Sequence, residues 1–287
     1  MSVLRKLSFN AINIKAGRFL SNKWLCTGLT FFVVIIMISV IGVILFPSDY
    51  MRIGRFPLER PPSKENILGT DSMGRDVFFS LLMATEKSLL VGLIVAAVGT
   101  FLGAIIGFTS GYIGGIFDSI TGVIIDFFIS VPSLLFLILI SALIKVMDIR
   151  QVALIIAIFS WAGAARGVRA QTLSLKERDF INVSKISGMN SMEIIAFDIM
   201  PYMAQWLSAH FINSFLGGIL AESGLAILGL SAMNEMTLGM MLYWSITYNA
   251  LMRGLWWWWG SIIAMLTLVF TSLYMMHIGL DKAIRKM

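Results

Sequence analysis

Two acidic side chains lie inside long apolar stretches of this 287-residue sequence, where a charge is energetically costly. Asp126 interrupts residues 119–144, and Glu222 interrupts residues 199–230. Ionisable groups in such positions usually face a cavity or bind a partner. Each acid could therefore line a passage for a polar solute, or accept hydrogen bonds from Ser, Thr or backbone groups of adjacent helices. Neither acid has an obvious basic partner inside an apolar stretch.

The remaining reactive side chains do not form a recognisable catalytic or metal site. His210 and His277 each lack a second His or Cys four residues away, so we expect no metal. A lone cysteine, Cys26, excludes an intramolecular disulfide. The sequence has no G-x-x-x-x-G-K-[ST] phosphate loop, no H-E-x-x-H and no G-x-S-x-G. We therefore expect a non-enzymatic chain that holds no cofactor and hydrolyses no ATP.

The composition indicates an integral membrane protein, because 58% of the residues are hydrophobic and only 13% are charged. Soluble domains carry about 25% charged residues. The net charge of +6 reflects the Lys and Arg that membrane proteins collect in cytoplasmic loops, not nucleic-acid binding. Six apolar stretches approach the length needed to cross a bilayer. They are Trp24–Phe46, Ser88–Phe117, Ser119–Ile144, Gln151–Ala165, Ile199–Leu230 and Gly254–Leu280.

The distribution of basic residues predicts the orientation of these spans. The first 23 residues contain five Lys or Arg and no acid, which favours a cytoplasmic N-terminus. Six spans then return the C-terminus to the cytoplasm. The predicted division is a cytoplasmic segment 1–23, a first transmembrane helix 24–46, an extracytoplasmic loop 47–86, and a five-helix core 87–287.

The outer loop ends in the sequence Leu68–Val77, whose polar residues are Asp71, Gly74, Arg75 and Asp76 in a turn-forming context. Asp71 could cap this turn or the start of the next helix, since Asp and Gly favour turns. Arg75 and Asp76 could instead pair with a neighbouring protein.

A glycine every four residues marks the second span: Gly99, Gly103, Gly107 and Gly111, with Gly115 beyond the expected membrane edge. This spacing places the glycines on one helix face, where another helix backbone can approach closely. The sequence does not say which helix that is.

The longest polar segment of the C-terminal two-thirds, Thr172–Pro201, predicts two short helices between two spans. Ser174 and Asn190 are each followed by Glu three residues later, the pattern of a capping box. Gly188 lies where the first helix would end in a left-handed residue. A structured helix pair over 174–198 on the cytoplasmic side predicts a docking surface for a partner.

Three segments resemble one protein family along essentially the whole chain. They are LGTDSMGRDVFFSLLMATEKSLLVG (68–92), ARGVRAQTLSLKERDFINVSKISGM (165–189) and ILAESGLAILGL (219–230). Together they are similar to the inner-membrane permease subunits of ABC importers, in the dipeptide, oligopeptide and nickel branch. The resemblance implies an all-α, polytopic transmembrane bundle of six spans with the type I importer fold.

The family's cytoplasmic pattern is E-A-A-x3-G followed by Leu-Pro, and its helix pair docks into a cleft of the ATPase subunit. Here Asn182-Val183-Ser184 takes the E-A-A place, and Gly188 the glycine. The Glu-to-Asn change removes the acid, so apolar packing, including Ile186, or a compensating partner would carry the contact. The residues that the resemblance assigns to ATPase coupling are Phe180, Ile181, Asn182, Ser184, Lys185, Gly188 and Met189.

The resemblance also implies partners and a substrate. These are a second, homologous permease, two ATPase subunits that bind ATP and Mg²⁺, an extracytoplasmic solute-binding protein, and membrane lipid. Peptides are the usual cargo of the branch, with oligosaccharides or nickel as alternatives. Without transport, the chain would instead be a membrane scaffold. A secondary transporter is disfavoured because we find no internal repeat.

Overall fold

The computed structural model describes residues 22–45, 50, 52–144 and 148–284. Helices supply the regular structure of these residues, apart from an isolated β-bridge between Thr70 and Asp76. The predicted cytoplasmic segment 1–23 lies, except for its last two residues, outside the described part of the chain.

The helices follow one another along the chain with short connections, except for the loop before the second. They are α1 (Lys23–Leu45), α2 (Val77–Ile113), α3 (Gly115–Ser130), α4 (Ser133–Leu143), α5 (Ile149–Leu175), α6 (Asp179–Ile186), α7 (Ser191–Glu193), α8 (Met200–Ile227), α9 (Leu238–Thr247) and α10 (Trp256–Ile284). A π-helical turn, Ile194–Ile199, joins α7 to α8.

Four of the described helices are long and apolar enough to cross a membrane: α1, α2, α5 and α10. The bent pair of α3 and α4 adds a fifth if it is one span. Helix α8 has 28 residues and is about 42 Å long, more than the ~30 Å of hydrocarbon, but it is less apolar. The chain is thus an all-α, multi-pass membrane bundle, and the count of six spans stays a prediction.

The predicted third span, Ser119–Ile144, is not one continuous helix. The chain bends by 76° between α3 and α4, at Val131 and Pro132. Proline has no N–H to continue the helical hydrogen bonds, and it disfavours helical geometry in the residue before it. Val131 accordingly has an extended backbone, with φ −87° and ψ 128°.

Helix α2 is the centre of the bundle, since it packs against α5, α8 and α1. Helix α1 lies at the outside, against α10 and α2. From residue 31 to the end of α1, the exposed side chains are apolar, as expected for a surface in contact with lipid. They include Val33, Val34, Met37, Ile38 and Ile41.

Helix α2 connects the two polar motifs of the sequence. It begins at the end of the segment Leu68–Val77, called here the aspartate turn. Its other end packs near Thr172 of α5. Thr172 lies a few residues before the segment Asp179–Ile199, which is called here the polar hairpin. The helix has 37 residues, so the two motifs lie about 55 Å apart along its axis.

Candidate functional site

The polar hairpin starts later than the sequence predicts. Helix α5 continues through Ser174 to Leu175, and α6 begins only at Asp179. The predicted capping box at Ser174 and Glu177 is therefore wrong, because the helix of the preceding span extends beyond the apolar stretch that was used to define it. The two hairpin helices occupy 179–186 and 191–199, not 174–198.

The middle and end of the hairpin have the predicted geometry. Gly188 has φ +82°, and the N–H groups of Gly188 and Met189 donate to the carbonyls of Lys185 and Ser184. This pattern is a Schellman motif that closes α6. Asn190 and Glu193 form a reciprocal capping box, with hydrogen bonds of 2.9 and 2.8 Å. The turn between the two helices is thus fixed by its own backbone and caps.

One side of the hairpin is anchored in the bundle. Ile181 is fully buried, together with Ile194 and Ile199 of the second helix. They pack against Phe108 of α2 and Met203 of α8 in one apolar cluster. The anchor also includes a stacked pair of rings, Phe180 and Tyr202, with centroids 5.1 Å apart.

The opposite side of the hairpin is exposed and carries apolar side chains. Ile186 is 87% exposed, Met192 69% and Val183 62%. Of the residues assigned to coupling, Asn182, Lys185 and Gly188 are on the exposed side, Phe180, Ser184 and Met189 are half-buried, and Ile181 faces inward. The sequence analysis missed Val183 and Met192, although Val183 and Ile186 lie three residues apart on one helix face. An anchored hairpin with an open apolar side is suited to bind a protein partner.

The aspartate turn, in contrast, satisfies its polar groups internally. Asp71 Oδ1 accepts from the N–H groups of Met73 and Arg75 at 2.8 and 2.9 Å, and Oδ2 accepts from Arg75 Nε at 2.7 Å. Asp76 caps α2 by accepting from Phe79 N at 2.8 Å. Gly74 has φ +73°, a left-handed conformation that favours glycine. Within the described chain, Arg75 pairs inside its own turn.

The glycine face of α2 packs against α5. A Cβ atom at Gly99 would lie 2.1 Å from Ser160 Oγ, one at Gly103 2.4 Å from Ala164 Cβ, and one at Gly107 2.6 Å from Val168 Cβ. Gly111 meets Thr172 in the same way, whereas a Cβ at Gly115 would meet nothing within 4 Å. The glycine face therefore brings α2 and α5 into close contact at four glycines, and this contact does not extend to Gly115.

Glu222 is completely buried and lies beside the N-terminus of α9. Its Oε1 accepts from Thr237 Oγ1 at 2.7 Å and from Ser231 Oγ at 2.9 Å. Its Oε2 is buried with no partner among the described residues, next to Gly239. Of the two roles left open for Glu222, hydrogen bonding to neighbouring Thr and Ser is what this geometry displays. Its place on the translocation path stays a prediction.

Asp126 has a basic partner that lies just beyond the apolar stretch of the predicted fourth span. Arg166 donates to Asp126 Oδ1, and the two side chains are 51% and 65% exposed. A second pair, missed earlier, links the same helices: Arg169 donates to Asp118 twice, at 2.6 and 2.8 Å. Both arginines lie on α5 beyond the predicted fourth span, and both acids lie on α3.

Helix α8 has two faces of opposite character. One packs into the core and includes Ile212, Phe215, Ile219, Glu222 and Ala226. The other, called here the open face, has exposed residues at its centre and half-buried residues at both ends, all within about 40° of one line along the helix. The exposed residues are Asn213, Gly217 and Leu220, and the half-buried ones are Trp206, His210 and Gly224.

The centre of the open face is polar. Asn213 lies midway along α8, is exposed, and has no hydrogen bond to a described residue. Gly217 and Gly224 have nothing within 4 Å of a Cβ position. Moving an amide from water into hydrocarbon without a partner costs about 4–8 kcal/mol. The open face is therefore a poor surface for lipid, unlike the exposed face of α1.

The described residues contain no group of three or more His, Cys, Asp and Glu side chains that could hold a metal ion. His210 stacks on Trp206, with ring centroids 5.1 Å apart. Trp206 fills the space above Gly167 of α5, where a Cβ would lie 2.3 Å from the indole ring. His210 thus belongs to an aromatic contact between α8 and α5.

Known proteins match this chain over most of its length. Residues 99–286 match the family described as binding-protein-dependent transport system inner membrane component. The oligopeptide transport system permease protein OppC of Haemophilus influenzae is 31% identical over 222 residues, which cover 77% of this chain and 71% of that protein. The OppC protein of Mycobacterium tuberculosis is 30% identical over 213 residues, covering 74% and 73%. The dipeptide permease protein DppC of Bacillus subtilis is 28% identical, covering 74% and 66%.

A multi-pass helical bundle with an anchored hairpin that leaves one apolar side exposed is typical of a membrane subunit of a larger assembly. The chain belongs to the family of binding-protein-dependent transport system inner membrane components.

Proposed function

We propose that this chain is the permease subunit of an ATP-driven ABC importer that moves di- and oligopeptides across the cytoplasmic membrane. The family match supports the class of transporter, and the printed names of the relatives support peptides as cargo. The observation that carries the proposal is the polar hairpin, which is anchored in the bundle on one side and apolar and exposed on the other.

The energy for transport comes from partner subunits. The sequence has no phosphate loop. The family resemblance implies that two ATPase subunits bind ATP and Mg²⁺ in its place. A second, homologous permease completes the path, and a solute-binding protein delivers peptide at the end that carries the aspartate turn. ATP binding can drive the cycle only by favouring one conformation of the permease pair over the other.

The two sides of the hairpin have different roles in coupling: one binds the ATPase and the other contacts the membrane helices. Val183, Ile186 and Met192 contact the ATPase, because they are the large exposed apolar side chains that flank the turn of the hairpin. Ile181 and Phe180 transmit the movement to the bundle through their contacts with Met203 and Tyr202 of α8. An inward movement of the ATPase would therefore displace α8 directly.

The hairpin faces the cytoplasm in this proposal, as do both termini. Basic residues are concentrated at the end of α5 and in the hairpin, as is typical of cytoplasmic loops. They are Arg166, Arg169, Lys176, Arg178 and Lys185.

The test uses the assembled complex in liposomes, with binding protein loaded with peptide. Peptide-loaded binding protein should stimulate ATP hydrolysis and peptide uptake only when this chain is present. Ile186→Asp should lower both by more than about tenfold, because a charge would be buried in the apolar contact, while this exposed site leaves the bundle's stability unchanged. Equal ATPase rates with and without loaded binding protein would reject the importer.

Two variants serve as controls for Ile186→Asp. Ile186→Leu keeps the apolar side chain and should retain activity. Ser174→Asp adds the same charge at an exposed position at the end of α5, outside the hairpin, and should also retain activity. If Ser174→Asp were as inactive as Ile186→Asp, the loss would reflect charge in this region and not the hairpin contact.

A further inference from the structure

The open face of α8 is a surface with an exposed polar centre, and the proposed function has not yet given it a role. Helix α8 is long enough to cross the membrane, but it is the long helix that does not meet the apolarity of the others. Asn213, at its centre, is exposed and has no partner among the described residues. A lipid-facing surface does not tolerate such a group, so this face contacts either water or protein.

A second polar group lies close to the same surface. The ion pair between Asp126 and Arg166 is more than half exposed. Arg166 is adjacent to Gly167, on which the Trp206 ring of the open face packs. The surface formed by α8 and α5 therefore carries polar groups at two depths. Burying an ion pair in a dry interface is costly, whereas a water-filled passage keeps it hydrated.

The chemistry of Asn213 suits a peptide backbone. Its carboxamide has N–H donors and a carbonyl acceptor, which complement the C=O acceptor and the N–H donor of a peptide group. Hydrogen bonds of this kind do not depend on the side chains of the peptide or on its charge. Gly217, one turn further along the same face, leaves space beside the amide.

We propose that the open face of α8 is a wall of the water-filled passage, and that Asn213 hydrogen-bonds the backbone of the peptide that moves through it. This inference rests on the proposed import function. It assigns the passage to the open face, whereas Glu222 lies on the opposite side of α8, in the core, and holds α9 in place.

Cysteine accessibility in the assembled transporter tests the first part. The sequence has one native cysteine, so Cys26→Ser provides a background without thiols in this chain. In that background, Asn213→Cys and Gly217→Cys should react with a charged, membrane-impermeant methanethiosulfonate at least about tenfold faster than two controls, since a thiolate forms only in water. The controls are Ile212→Cys, in the core one residue away, and Met37→Cys, exposed on the apolar face of α1.

The labelling outcomes separate the passage from the alternatives. Rapid modification that blocks peptide uptake supports the passage. Slow modification, equal to that of Met37→Cys, together with cross-linking to the second permease, would overturn it and identify a permease–permease interface. If the Cys26→Ser complex imports peptide and position 213 is unreactive, the inference fails while the import function stands. If that complex imports no peptide with any binding protein, the import function itself fails.

Peptide series test the role of the amide. Asn213→Ala should lower the uptake of a neutral and a charged tripeptide by the same factor, about three- to tenfold, since one hydrogen bond to the backbone is lost in both. Asn213→Gln should recover part of this loss. A reduction confined to one of the two peptides would show that position 213 contacts the side chains of the peptide. It would overturn the proposed hydrogen bond to the peptide backbone.

Discussion

The aspartate turn and the polar hairpin look alike in sequence, since both are polar segments with capping patterns and a glycine at the turn. The structure treats them differently. In the turn, Asp71 and Arg75 are 2% and 6% exposed and bind each other and the backbone. In the hairpin, Ile186 is 87% exposed although the backbone around it is fully capped.

This difference shows how an internal structural element can be distinguished from a docking surface. In the turn, the side chains and the backbone are both satisfied within the chain. In the hairpin, the backbone groups are hydrogen-bonded, but the apolar side chains on one side are not buried against the rest of the chain. Capping motifs alone therefore predict order, and only the burial of the side chains shows whether a partner is needed.

The largest effect is expected for the buried pair of the aspartate turn. Asp71→Ala would leave the Arg75 guanidinium buried without its acid and would remove acceptors for two backbone N–H groups. Loss of one partner of a buried ion pair costs about 3–5 kcal/mol. Thermal unfolding in detergent, followed by tryptophan fluorescence, should show a clear decrease in midpoint.

Glu65→Ala is the matched control, because Glu65 is an exposed acid in the same loop. Exposed substitutions usually change the free energy of unfolding by less than about 0.5 kcal/mol. A similar loss of stability in both variants would mean that the turn is sensitive to any loss of acid and not to its internal pair.

A smaller effect is expected at the contact between α2 and α5, which is formed by close helix packing and not by a buried ion pair. Gly103→Leu would drive a side chain into Ala164 and the carbonyl of Trp161, which are 2.4 and 2.6 Å from a Cβ position. Overpacking of this kind typically costs about 1–3 kcal/mol. The same unfolding measurement should show a lower midpoint. Gly260→Ala on α10, where a Cβ would have no neighbour within 4 Å, should leave it unchanged or slightly raised.

Much of the fold could be predicted from the sequence, because bilayer thickness and hydrogen bonding leave few alternatives to apolar helices. The positions of the long helices and the cap at Gly188 followed from apolar length and local backbone preferences. The end of α5 did not follow, since a helix can continue beyond its apolar stretch. Arg166 was expected to lie after the fourth span and Ser174 to begin a new helix, but both lie on α5.

The site was harder to predict because burial depends on contacts between distant segments. Ile181 and Ile186 are the same residue type in one short helix, yet one faces the core and the other faces away. Asp126 seemed unpaired only because its partner, 40 residues away, was assigned to a loop. The glycine spacing predicted a close helix contact but could not identify α5, since any helix with small or yielding side chains would satisfy it.

The smallest effect is expected for the residue that departs from the family pattern, and it tests whether the exposed side of the hairpin works by charge or by packing. Asn182→Glu restores the acid at an exposed position in the first turn of α6, where a negative charge is tolerated. If the contact rests on Val183, Ile186 and Met192, ATPase stimulation by loaded binding protein should change by no more than about twofold, or about 0.4 kcal/mol. Asn182→Gln separates the added length from the added charge. An increase of about fivefold or more in Asn182→Glu alone would mean that the partner retains a basic site for the acid, and that the hairpin is matched by charge as well as by shape.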